Sequence, residues 1–227
     1  MKKILTDIKE MIIHPNALYK RIDGKHPLYI TLLTTCLISI LFFYLFWNYQ
    51  FFAMLNDPLH TEAAEWGKMT STIVYTTTIA FVTFVIIILQ SFYYLFSFNF
   101  VKGKNNVKIS QVVQAVALTK IISIFSTVVS VIKASSLENI EFSSLVDFKK
   151  AIYVPLDMTF FFKGIESAWY RVAQTISLFP VWESIVVVLI FSKLYQLPIK
   201  KSLTPVIFIW LIKLLSAYFN PTNPALL

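Results

Sequence analysis

The sequence predicts an all-α integral membrane protein with five transmembrane helices, and three observations predict it. Hydrophobic residues make up 57% of the chain and charged residues only 14%, with a mean hydropathy of +0.68, whereas a typical soluble domain carries about 25% charged residues. The apolar residues are gathered into long runs that leave no soluble domain of their own. Lys and Arg collect in alternate connections between those runs, as the positive-inside rule requires.

Residues 1–27 read as a cytoplasmic amphipathic segment. In MKKILTDIKEMII, Ile4, Leu5, Ile8, Met11 and Ile12 fall on one helical stripe, with Lys2, Lys3 and Lys9 free to meet anionic headgroups. The segment predicts an interfacial helix, lying on its own membrane or docking a partner.

A five-helix membrane domain follows over 28–219, with a short outer tail at 220–227. The first span, 28–47, is the uncharged run LYITLLTTCLISILFFYLFW, long enough for ~30 Å of hydrocarbon. It lies too far into the chain for a signal-peptide core, and no small-residue cleavage site follows it. Its lone Cys36 has no partner for an intramolecular disulfide. The second span, 72–98, would be ~40 Å long as a helix, so it must tilt or project past the headgroups.

The third span, 110–132, carries a face of small residues. Ala115, Thr119, Ser123 and Thr127 repeat at four-residue spacing, which lets helix backbones approach closely and hydroxyls bond across helices. It is the candidate central, protein-facing helix. Between it and the fourth span, LVDFKKAIYVPLDMTFFFKGIESAWYRV mixes aromatics with charge. This outer segment is expected to lie along the interface, with Trp169 and Tyr170 at headgroup level.

The fourth span is expected over 175–195, with Pro180 as a kink or first-turn residue. The fifth, 203–219, has Ser202 placed to cap its start and Pro205 in its first turn. Five alternating helices put Lys2, Lys3, Lys9, Lys20, Arg21 and Lys25, then Lys102, Lys104 and Lys108, then Lys193, Lys200 and Lys201, on the inside. The net-acidic connection with Asp57, Glu62 and Glu65 falls outside, as does the C-terminus.

Besides Lys193 at the inner end of the fourth span, three charges fall within spans. By helical rise, Glu183 lies ~12 Å, Lys213 ~9 Å and Lys120 ~18 Å below the outer edge, and the flexible Lys120 stem can reach outward. They converge on one layer. An isolated charge near a helix centre costs about 2.5–3.5 kcal/mol on the insertion scale, which makes pairing of Glu183 with Lys213 or with Lys120 the first hypothesis. Two other readings stand beside it. Glu183 can be wetted near the start of its helix, favoured by the dipole, while Lys213 snorkels alone. Alternatively the layer is a functional proton or substrate site. Gln90, Gln111 and Gln114 can line the inner half or sit at the interface.

Enzymatic function finds no support. Serine-elbow, phosphate-loop, dinucleotide and HExxH patterns are absent from the sequence. His14, His26 and His60 fall on two sides of the membrane in this topology, so no common metal site is expected and no cofactor is implied. The net charge of +8 sits in short segments beside the spans and offers no basic soluble face for nucleic acid.

The order of features resembles a known family. HPNALYKRIDGKHPLYI, then QSFYYLFSFNFVKGKNNVKISQVVQAVAL, then SLFPVWESIVVVLIFSKLYQLPIKKSL are similar to the bacterial branch of the Yip family, five-helix membrane proteins named for relatives that interact with Ypt and Rab GTPases. A His-Pro pair before span one, an aromatic, small-polar exit from span two into a basic loop, and a Trp opening span four carry the resemblance. It implies a non-catalytic scaffold or accessory subunit in the bacterial cytoplasmic membrane, assisting an export or envelope-defence complex. The partners it implies are the lipid bilayer and another membrane protein, an ABC-type exporter among the candidates. A small GTPase is a weak candidate, because neither the turn motif typical of the eukaryotic members nor the family's usual glycine in the fourth span is evident. The alternative function is a small permease or channel that uses the Lys120, Glu183 and Lys213 layer.

Overall fold

The computed structural model describes residues 22, 24, 27–46, 61–101, 106–137, 157–159 and 168–219. Six helices occur among them: α1 (Pro27–Phe46), α2 (Thr61–Phe100), α3 (Ile109–Ser135), α4 (Ala168–Thr175), α5 (Leu178–Leu194) and α6 (Ile199–Phe219). Four contain segments long and apolar enough to cross a membrane: Pro27–Leu45, Ile73–Phe100, Ile109–Lys133 and Ile199–Phe219. The protein is therefore an integral membrane protein. The fourth expected span falls on α5, which has 17 residues and a length of ~25 Å, short of a ~30 Å core. The expected amphipathic helix carrying Ile4, Leu5, Ile8, Met11 and Ile12 lies outside the described residues, as do His14, His26 and His60.

The helices run further than the uncharged runs at several ends. α2 begins at Thr61 and has 40 residues, because TEAAEWGKMTST is polar but rich in helix formers, so propensity carries the helix past the apolar segment. α6 begins at Ile199, so Ser202 is a first-turn residue whose hydroxyl donates to the Pro198 carbonyl at 3.4 Å, and Pro205 is interior. The continuous hydropathy from Thr175 into span four hides a break. Ser177 is extended, with φ −116° and ψ 164°, and forms an antiparallel bridge with Asp157. That break separates α4 from α5 and leaves Pro180 in the first turn of α5.

The chain forms two compact units, Met1–Ile30 with Ile87–Ser123 and Pro155–Leu227, and Thr31–Ile86 with Ile124–Val154. In the second unit α1 is polar inside and apolar outside. Thr31, Thr34, Thr35 and Ser39 are buried on one face while Leu32, Ile40, Phe42 and Phe43 are exposed. This inversion suits a helix whose outer solvent is lipid and whose protein contact uses small polar groups. The Ser39 hydroxyl donates to the Thr76 carbonyl of α2 at 3.3 Å.

In the first unit the core is built on α3 and α5. On α3, Val112 and the stretch from Gln114 to Thr119 are buried, as are Ile121 and Ile122; on α5 the buried residues are Val186, Val187, Val188, Ile190 and Phe191. Tyr94 and Phe98 of α2 meet Phe191 and Tyr195, with Phe98 and Phe191 stacked at 4.9 Å and Phe98 and Tyr195 at 5.2 Å between ring centroids. Each pair is spaced i, i+4, so both aromatic faces point one way. α6 packs against both α4 and α5. Arg171 of α4 donates to the Ala217 and Tyr218 carbonyls at 3.1 and 2.9 Å, satisfying carbonyls that a helix C-terminus leaves open.

α5 ends in a Schellman motif. Leu197 N–H donates to the Ser192 carbonyl at 2.8 Å and Gln196 N–H to the Lys193 carbonyl at 3.3 Å, with Gln196 left-handed at φ 55°. The Ser192 hydroxyl donates to the Leu197 carbonyl at 2.7 Å, which closes the reversal into α6.

Candidate functional site: a charge centre between two helices

Hydroxyls in apolar helices need acceptors close by, and here most use their own backbone. Ser91 donates to the Ile87 carbonyl at 2.6 Å, Thr119 to Val116 at 2.8 Å and Ser130 to Ser126 at 3.1 Å. Bonds of this kind let a polar residue remain in a helix without a partner helix. Ser123 departs from them by donating to Glu183 Oε2 at 3.1 Å.

Glu183 Oε1 accepts from Lys120 Nζ at 2.7 Å, and the two side chains are 13% and 12% exposed. Lys120 and Ser123 are one turn apart on α3, so both reach the same carboxylate on α5. Each carboxylate oxygen thus has a donor, one of them charged, which is the condition for keeping an ionised pair away from water. Held in this way, the centre fixes α3 against α5. Its carboxylate, ammonium and hydroxyl are all engaged with one another.

Of the three charges expected in one layer, the structure joins Lys120 to Glu183. It places Lys213 on the exposed side of α6, with its ammonium 5.7 Å from the centroid of the Trp210 ring. Trp210 in turn donates from Nε1 to Ser184 Oγ at 2.7 Å, and Ser184 donates to the Pro180 carbonyl at 2.8 Å. The residue after Glu183 is therefore tied to α6. Along the small-residue face of α3, Ala115 and Thr119 are buried and Ser123 is half-buried beside Glu183; Thr127 is half-buried in the second unit.

A second polar cluster gathers at the start of α3. Gln114 Oε1 accepts from Gly24 N–H at 2.7 Å, and Gln111 Nε2 donates to the Ile22 carbonyl at 3.2 Å. The two glutamines fasten the segment before α1 onto the start of α3. Gly24 is left-handed at φ 72°, and a Cβ there would collide with Ser110 Oγ and lie 3.0 Å from Gln111 Cγ. Gly24 is the one glycine of residues 1–27, and its left-handed turn brings the Gly24 N–H and the Ile22 carbonyl to the two glutamines. The Arg171 cap and the Tyr94, Phe98, Phe191 and Tyr195 cluster also escaped the sequence reading, although YYLFSF and FSKLY contain the i, i+4 spacing.

A model of the Yip1 domain matches residues 9–219. No curated protein and no solved structure matches the chain. The match covers nearly all of the chain, including α1 to α6, both glutamines of the clamp and the whole charge centre, so the chain belongs to the Yip1-domain family of membrane proteins.

Proposed function

We propose that the chain is a non-catalytic polytopic scaffold or accessory subunit, in which the Lys120–Glu183–Ser123 centre holds helices together. The observation that carries this reading is the saturation of Glu183: both its oxygens accept from α3. A carboxylate that carries protons or solute must exchange partners, whereas one held by an ammonium and a hydroxyl favours fixed geometry. Membership of a family that is generally non-catalytic points the same way.

In this proposal α1, α2, α3, α5 and α6 are the five spans. α5 crosses with the help of Ile176, Ser177 and the adjoining α4, which lies along the outer interface with Trp169. The N-terminus is cytoplasmic, the C-terminus lies outside, and the membrane is the bacterial cytoplasmic membrane. The face of Ala115, Thr119, Ser123 and Thr127 is the packing face of α3. The stripe of Ile4, Leu5, Ile8, Met11 and Ile12 serves the membrane surface or a partner, which is a second membrane protein such as an ABC-type exporter or another component of an export or envelope-defence complex.

Purification in mild detergent followed by mass spectrometry tests the reading. The expected result is a second membrane protein retained in near-stoichiometric amount. A chain that purifies alone and, once reconstituted, carries ions or a solute in a Glu183-dependent manner would move the assignment to a permease.

A further inference from the structure

Between α5 and α6 lies an apolar groove of about 460 Å³. Val181, Ile185 and Val188 form one wall and Leu203, Val206 and Ile207 the other, with Trp210 also lining the groove. These residues recur at i, i+3, i+4 and i+7 on two helices, so the groove follows the helix axes. Its hydroxyl, on Ser184, is already engaged by the Trp210 indole and the Pro180 carbonyl. A ligand lying in it would find apolar contact along its length, the environment of a hydrocarbon chain.

Lys213 lies one turn beyond Trp210 toward the C-terminal end of α6, exposed, with its ammonium over the indole. The charge balance of the layer makes this position informative. Two lysines accompany one glutamate, and both oxygens of that glutamate are taken by Lys120 and Ser123. Glu183 also acts on Lys213 through space, but one glutamate cannot balance two lysines, so a net positive charge remains beside a hydrocarbon-shaped groove. A cation–π contact eases such a charge but does not neutralise it. Arg171 adds a second positive group at the same end of α6.

We propose that this groove and Lys213 bind an anionic phospholipid from the leaflet at the C-terminal end of α6. One acyl chain lies along Val188, Leu203 and Val206, and the phosphate sits at the Lys213 ammonium. The long lysine stem lets the charge rise to headgroup level while the rest of the side chain stays in hydrocarbon.

The test is native mass spectrometry of the full chain purified in detergent and offered equimolar dioleoyl phosphatidylglycerol and dioleoyl phosphatidylcholine. The wild type should retain phosphatidylglycerol in preference. Lys213→Met should reduce that preference about fivefold, the effect of one basic residue near an anionic surface, and Lys213→Arg should keep it. Leu203→Trp, on the exposed rim of the groove, should reduce retention of both lipids. Millimolar inorganic phosphate should leave the bound lipid in place. Equal retention of the two lipids by the wild type, an unchanged preference in Lys213→Met, or displacement by inorganic phosphate would each overturn the proposal, the last in favour of a simple anion site.

Discussion

Lys120 Nζ and Glu183 Oε1 stand 2.7 Å apart and join α3 to α5. Lys213, the third charge of the expected layer, stands over Trp210 instead, with Glu183 acting on it through space. What decides between the two lysines is azimuth as well as depth. Lys120 shares a face of α3 with Ser123, and together they offer the carboxylate an ammonium and a hydroxyl. Trp210 on α6 is instead directed at Ser184, which follows Glu183 in the chain.

The turn after α5 carries a correctable strain. Gln196 holds φ 55°, a left-handed conformation that costs a residue with a Cβ roughly 1–2 kcal/mol. Gln196→Gly should therefore stabilise the protein by about 1 kcal/mol, less the extra chain entropy glycine loses on folding. Thermal melting in detergent is the check. A fall in melting temperature would mean that the Gln196 side chain contributes more than its backbone costs.

At the start of α3 the strain runs the other way. Gly24→Ala places a Cβ against Ser110 and Gln111 in a left-handed backbone, and should release the segment that Gln111 and Gln114 hold. Trypsin should then cut at Lys20, Arg21 and Lys25 several times faster than in the wild type. Gln114→Leu, which removes the acceptor for Gly24 N–H, should have the same effect without altering the glycine. Unchanged cleavage in both variants would show that the clamp does not restrain the segment.

Much of this fold is legible in sequence because lipid imposes uncharged runs of a minimum length. α1, α3 and α6 overlap the runs at 28–47, 110–132 and 203–219, with each end within four residues of the run. The beginning of α2 is not legible from hydropathy, since Thr61 to Thr72 are helical by propensity. Nor is the break between α4 and α5, where residues 175–181 remain largely apolar. It depends on Asp157, distant in sequence, pairing with Ser177. For the charge centre, the sequence offers Lys120, Glu183 and Lys213 as three candidates expected in one layer. Helical rise gives depth, but which lysine meets the carboxylate depends on helix rotation, which the apolar residues around α5 do not encode. Gln111 and Gln114 show the same limit, because an amide suits an interface or a backbone clamp equally well until its neighbours are known.

The five-span topology predicts opposite exposure of two positions. In a Cys36→Ser background, a cysteine at Pro224 should react with an impermeant thiol reagent in intact cells, and a cysteine at Asn105 should react only after the membrane is opened. Reaction of both in intact cells would contradict an odd number of crossings.

Removing Ser123 alone should be milder than removing either charge. Ser123→Ala takes one hydrogen bond from Glu183 Oε2 and leaves the ammonium in place, a loss of about 1 kcal/mol for interhelical bonds in membranes. Its melting temperature should fall less than that of Lys120→Met. A larger fall would make the hydroxyl, and not the charge, the principal support of the carboxylate.

The most direct measurement of the central claim is a double-mutant cycle on the pair itself, read by thermal melting in detergent. Truncating one member of a buried pair leaves the other charge uncompensated, a loss that reaches about 3–5 kcal/mol in dry surroundings and less where water enters. Lys120→Met and Glu183→Gln should each lower the melting temperature, and the double variant should recover part of the loss. Lys213→Met combined with Glu183→Gln should be closer to additive. Strictly additive losses for Lys120 and Glu183, with recovery appearing for Lys213 and Glu183, would contradict the pairing on which the structural role of this centre rests.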